Sequence, residues 1–65
     1  MNDFIKRCLR YVKNAGEGAT ADRFIEDHAP IGERLYLELI VGGWIKEDET
    51  NHIYLTESGK EALAQ

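Results

Sequence analysis

The side chains of this chain that could bind a metal or attack a substrate are few and far apart. His28 and His52 are the only histidines, and they lack the H-x-x-x-H or H-E-x-x-H spacing that places two ligands on one helix face. Cys8 has no second cysteine with which to form a disulfide or a zinc cluster. The run from Glu47 to Glu49 supplies carboxylates, but without the glycine and twelve-residue spacing of a calcium loop. We therefore expect no enzymatic activity, no metal and no cofactor.

Binding is the chemistry that remains, and it concentrates on a helix predicted from Gly32 to Val41. At 100° per residue, this helix turns one set of side chains towards the core: Ile31, Leu35, Tyr36 and Leu39. It turns a second set towards solvent: Glu33, Arg34, Leu37 and Val41. An arginine can bond a guanine edge in the bidentate manner. The exposed leucine and valine suit thymine methyl groups and, at least equally well, a protein partner.

A hairpin loop is predicted directly after this helix, in the segment KEDETN at residues 46 to 51. Lys46 supplies one cation there, and Asn51 and His52 supply hydrogen-bonding groups. DNA affinity comes largely from cations that neutralise phosphates. Glu47, Asp48 and Glu49 offset the lysine, so we expect weak DNA binding if this face is used. An acidic loop is more typical of a surface that selects a protein partner.

The first predicted helix carries a basic face. Its apolar residues recur every three or four positions: Phe4, Ile5, Cys8, Leu9 and Val12. Asn2 is the expected N-cap, and Gly16 is expected to end the helix. The cations of this helix are Lys6, Arg7, Arg10 and Lys13. Such a charge run is either a second route to DNA or a solvated surface.

The remaining elements position these two helices. We expect a short edge strand near Ala19, a helix from the N-cap Thr20 to about His28, and a turn at Pro30 that makes a helix-turn-helix. Gly42 and Gly43 should end the third helix. Strands beginning at Trp44 and formed by HIYL follow, and Thr56 should cap a last helix through Leu63. The predicted order is helix, strand, helix, helix, strand, loop, strand, helix, an α+β fold that is mainly α.

Length and composition place these elements in one domain, residues 1–65. A chain of 65 residues has room for one core, and its 43% apolar and 31% charged residues suit a globular protein. No apolar run is long enough to cross a membrane and no secretory segment is recognisable, so we expect a cytoplasmic protein with no membrane partner. The net charge of −4 is uneven. Residues 1–13 hold four cations and one acid, whereas the rest hold four cations and eleven acids.

The stretch GGWIKEDETNHIYLTESGKEAL resembles the wing of MarR-type and PadR-type transcriptional regulators. In that pattern a glycine and two apolar residues follow the recognition helix, and an apolar-Leu-Thr-x-x-Gly segment, here Tyr54, Leu55, Thr56 and Gly59, ends the wing. The resemblance extends over the whole chain and is specific from Leu35 to Leu63. It implies a winged helix-turn-helix fold that binds DNA, usually as a homodimer, with the third helix in the major groove and the wing on an adjacent groove or backbone.

Two functions follow from these observations. The first is a small DNA-binding regulator, whose expected contacts are Glu33, Arg34, Leu37, Lys46, Asn51 and His52. The alternative is a protein-interaction module or homodimer with little or no DNA binding, whose expected contacts are Leu37, Val41, Glu47, Asp48 and Glu49. The chain carries no arginine between Glu47 and His52, where the wing of a MarR-type protein has one near its tip, and this favours the alternative.

Overall fold

The computed structural model describes residues 3–65, which form four α-helices and one small antiparallel sheet. The helices are α1 (Asp3–Ala15), α2 (Ala21–Asp27), α3 (Gly32–Val41) and α4 (Glu57–Ala64), and a 3-10 turn, Gly16–Gly18, follows α1. The strands are β1 (Ile45–Glu47) and β2 (Ile53–Leu55). The mainly helical α+β class is therefore confirmed. In the described part of the chain, no helix is long and apolar enough to cross a membrane.

One apolar core receives a contribution from every helix and both strands. Its fully buried large side chains are Phe24, Leu9, Leu39, Ile53 and Cys8. The burial of the Cys8 thiol raises its pKa, so this residue packs as a small hydrophobe, as the sequence predicts. Leu35 and Leu39 anchor the inner face of α3, and Ile45 and Ile53 anchor the sheet.

The helix ends follow the predicted signals. The Thr20 hydroxyl accepts a hydrogen bond from the Arg23 amide at 3.1 Å, and the Thr56 hydroxyl accepts one from the Gly59 amide at 3.1 Å. Gly16 ends α1 with φ at +53°, a left-handed conformation that glycine adopts at little cost. The predicted cap at Asn2 lies outside the described residues.

The residues near Ala19 do not form a regular β-strand, so the strand predicted there is wrong. Only Ala19 and Thr20 are extended, because the 3-10 turn occupies the residues before them and Thr20 already caps α2. A single bridge joins Thr20 to His52, and the Ile53 amide donates to the Ala19 carbonyl at 2.9 Å. This segment therefore reaches the edge of β2 without forming a ladder.

Three other expectations need correction. Phe4 and Ile31 were expected in the core, but both are exposed. Phe4 lies in the first turn of α1, and Ile31 is the N-cap of α3 rather than part of it, so helical periodicity does not place its side chain. The hairpin turn is residues 48 to 52, since Lys46 and Glu47 belong to β1, paired with Tyr54 and Ile53.

Candidate interaction surface

Helix α3 presents an apolar stripe to solvent. Leu37 is 51% exposed and Val41 is 84% exposed, whereas Leu39, on the opposite side, is 0% exposed. Glu33 and Arg34 are exposed beside the stripe, as predicted. Glu38 is also exposed and extends the charged flank on the side of Arg34. The outer face of α3, by which we mean Glu33, Arg34, Leu37, Glu38 and Val41, thus combines two aliphatic side chains with charges of both signs.

Two glycines fix the position of this helix. A Cβ at Gly32 would lie 2.1 Å from the Ile25 carbonyl oxygen, so only glycine lets the start of α3 approach α2 this closely. A Cβ at Gly42 would lie 2.8 Å from two carbons of the Trp44 indole, which covers the end of the helix. Trp44 is half-buried and packs against the core.

An open groove of about 550 Å³ runs beside the apolar stripe. Side chains from the first turns of α1, from α3 and from the residues after it line this groove: Ile5, Arg34, Leu37, Glu38, Val41 and Trp44. The sequence alone did not identify Ile5, Glu38 or Trp44 as part of a surface. The periodicity of α3 does place Glu38 on the outer flank, but the approach of α1 is a tertiary contact that no local pattern reveals.

Glu47, in the acidic hairpin, is bound to two neighbours. It accepts hydrogen bonds from the Tyr36 hydroxyl and, at 3.0 Å, from the Asn51 side-chain amide. Burial and the bond to Glu47 raise the pKa of Tyr36 to about 12. Glu47 thus ties the hairpin to α3, a role that the charge run alone did not indicate.

Asp48 organises the hairpin turn. Its carboxylate accepts hydrogen bonds from the Thr50 amide at 2.8 Å, the Thr50 hydroxyl at 2.7 Å, the His52 amide at 3.1 Å and the Tyr54 hydroxyl at 2.7 Å. The bonds from Thr50 and Tyr54 hold the pKa of Asp48 well below its usual range. Glu49, by contrast, is exposed and forms no hydrogen bond or ion pair within residues 3–65.

Asn51 and His52, both predicted to contact DNA, are engaged inside the protein. Asn51 has φ at +71°, and its side-chain oxygen accepts a bond from the Asp22 amide at 3.1 Å. The half-buried His52 ring donates from Nε2 to the Glu17 carbonyl and stacks on Tyr54 at a centroid distance of 5.7 Å. The bridge between Thr20 and His52 places this ring beside the 3-10 segment, so it is not free to contact DNA without losing these bonds.

The two cations nearest this surface are available to a ligand. Arg34 and Lys46 are exposed, and neither forms an ion pair within residues 3–65, where the single ion pair joins Lys60 to Glu57. The outer face of α3 and the hairpin together hold these two cations and five carboxylates, a net charge of −3. A surface with this balance repels a polyanion at long range.

The basic face of α1 belongs to another part of the surface. Arg7, Arg10 and Lys13 are exposed, and Lys6 donates to the Gln65 carbonyl at 2.5 Å, next to the end of α4. Lys13 lies beside a cleft formed with β2 and α4. Lys6 and Lys13 of the basic face therefore lie on the side of α1 that faces α4 and β2.

His28 caps α2 and donates from Nδ1 to the Phe24 carbonyl at 2.7 Å, with its ring stacked on Phe24 at 4.1 Å. Within residues 3–65, no three histidine, cysteine, aspartate or glutamate side chains gather closely enough to hold a metal ion.

Comparisons of the sequence and structure with family models, curated proteins and solved structures found no match.

Proposed function

We propose that this chain is a winged-helix domain that binds a protein through the outer face of α3. The order of the helices and strands along the chain supports this proposal. A four-residue turn separates α2 from α3, a hairpin follows α3, and the segment around Ala19 bonds the free edge of β2 in the place of the short first strand. The third helix and the hairpin are the elements that such domains use to contact partners.

The observation that carries the choice of partner is the exposure of Leu37 in the middle of the expected contact helix and of Val41 at its end. Burying these two side chains against a partner would contribute about 2–4 kcal/mol. The adjoining groove offers further apolar contact at the half-buried Trp44. Charges of both signs around an apolar centre are the arrangement of a typical protein interface.

The hairpin supports the same choice. Glu47 and Asp48 are fixed by internal hydrogen bonds, so their negative charge stays in place beside α3 and cannot swing away from an approaching phosphate. Fixed charges of this kind repel DNA. The amide of Asn51 and the ring of His52 would have to give up internal bonds to read a base.

A peptide selection tests this function. A library of helical peptides is selected on the wild-type protein, with counter-selection on Leu37→Asp. We expect binders that discriminate by tenfold or more, because a desolvated carboxylate costs at least about 1.4 kcal/mol. Ala64→Asp, which adds the same charge at an exposed position of α4, is the matched control and should bind as the wild type does. Peptides that bind all three proteins equally would rule out this face.

DNA binding is the second candidate, and the exposed, unpaired Arg34 and Lys46 favour it. An arginine near the start of a helix-turn-helix recognition helix is well placed for a guanine edge. This candidate predicts binding to duplex DNA whose logarithmic salt slope is about −0.9 per phosphate contacted. Arg34→Ala and Lys46→Ala should each make the slope shallower by about one contact. Absence of binding at about 50 mM salt, where phosphate contacts are strongest, would remove this candidate.

A further inference from the structure

We propose that the partner of the outer face of α3 is a second copy of this chain, in an antiparallel, twofold-symmetric contact between the two α3 helices. This inference rests on the proposed function, since it names the occupant of the same face. Its basis is the order of charges along the helix. Arg34 and Glu38 lie on the same flank, one turn apart, and neither forms an ion pair within residues 3–65.

The symmetry of such a contact makes this flank complementary to itself. A twofold axis perpendicular to two antiparallel helices brings the same flank of each helix together and reverses its direction. With the axis level with residue 36, Arg34 faces Glu38 of the second copy, and Glu38 faces Arg34 of the second copy. The ion pair therefore forms twice. A parallel twofold arrangement would instead set this flank against the opposite flank of the second copy, so Arg34 and Glu38 would not pair with each other.

The apolar residues fit the same arrangement. Leu37 lies next to the axis, so it packs against Leu37 of the second copy. Val41 and the groove beside it lie further out, where they shield the ion pairs from water. A ten-residue helix is about 15 Å long, so the contact is at the low end of specific interfaces in area. We expect association in the micromolar range, driven by the leucine and oriented by the charges.

The charge distribution of the chain allows a second kind of self-contact, because α1 is basic and the remaining residues are acidic. A contact of Arg7 and Arg10 with the hairpin of a second copy would join two different surfaces. Heterologous contacts of this kind extend into open chains unless their rotation closes a ring. That arrangement predicts assemblies larger than a dimer and depends on α1, not on Arg34 and Glu38.

The test is a charge exchange followed by sedimentation equilibrium. The wild type should associate to a dimer between about 10 μM and about 500 μM protein. Arg34→Glu and Glu38→Arg each replace two attractive pairs with two repulsive ones, so each variant should dimerise at least about tenfold more weakly. An equimolar mixture of the two variants restores both pairs and should dimerise as the wild type does. The double variant should do the same alone.

The outcomes distinguish failure of the second-copy contact from failure of the proposed protein-binding function. A wild type that stays monomeric at about 500 μM overturns the second-copy contact, whereas the peptide selection against Leu37→Asp tests the face independently. A dimer that neither single variant weakens, or a mixture that fails to restore it, also overturns the contact. Arg10→Glu is the matched control on α1 and should leave the dimer unchanged. Loss of association in this control would assign self-contact to the basic face.

Discussion

The assignment of an inner and an outer side to α3 can be tested by truncating two leucines of the same helix. Leu39 is 0% exposed and Leu37 is 51% exposed, although they are two positions apart and chemically identical. Leu39→Ala removes fully buried methyl groups and leaves a cavity, which costs about 2–5 kcal/mol. Leu37→Ala removes groups that are half in water already, so its cost should be about 1 kcal/mol or less.

These magnitudes are large relative to the stability of so small a domain. A chain of 65 residues has a free energy of unfolding of about 3–10 kcal/mol. Leu39→Ala should therefore lower Tm by about 10 °C or more or unfold the protein, and Leu37→Ala should lower it by less than about 8 °C. Trp44 is the only tryptophan and is half-buried, so its fluorescence reports urea unfolding of both variants. Measurements at a few micromolar keep self-association from contributing.

Equal destabilisation by the two substitutions would contradict this assignment of the two sides of α3. If the two substitutions cost the same within about 0.5 kcal/mol, Leu37 is a core residue, and the proposed contact face is wrong. A smaller cost at Leu39 than at Leu37 would mean that α3 is rotated about its axis relative to the described structure.

Two further predictions concern the elements that hold this surface. Gly59→Ala should destabilise the domain by more than about 2 kcal/mol, because the added Cβ would lie 2.1 Å from the Trp44 carbonyl oxygen. Gly18→Ala is the control, because an added Cβ there has no atom within 4 Å. Equal urea midpoints for the two variants would contradict the packing at Gly59. Asp48 has a lowered pKa in the folded state, so its stabilisation is present above about pH 4 and is lost as the pH falls towards that pKa. The urea midpoint should therefore fall less between about pH 5 and about pH 2 in Asp48→Asn than in the wild type, and parallel curves would contradict the hydrogen-bond network.

Local patterns in the sequence predicted the helices well. The bounds of α3, the caps at Thr20 and Thr56 and the glycine that ends α1 all follow from short-range chemistry, in which one side chain bonds a nearby amide or one residue adopts a positive φ. The exposure of Leu37 and Val41 follows from helical periodicity. These features depend on neighbours within about one helical turn, which the sequence shows directly.

Features that depend on tertiary contacts were not predictable in the same way. Asn51 looked like a free polar side chain, but its conformation at φ +71° directs the amide to Glu47 and the start of α2. The acidic run looked like a uniform surface charge, although Asp48 is a turn acceptor and Glu49 is the exposed residue. Ile5, in the first turns of α1, lines the groove together with side chains of α3. Each of these outcomes requires the position of a residue distant in sequence.

Photo-crosslinking in living cells shows whether the outer face of α3 contacts protein. A photoreactive amino acid replaces Leu37 in one strain and Glu61, an exposed residue of α4, in another. We expect a discrete protein adduct from position 37, identified by mass spectrometry, and none from position 61. No protein adduct from position 37, or the same adducts from both positions, would contradict it.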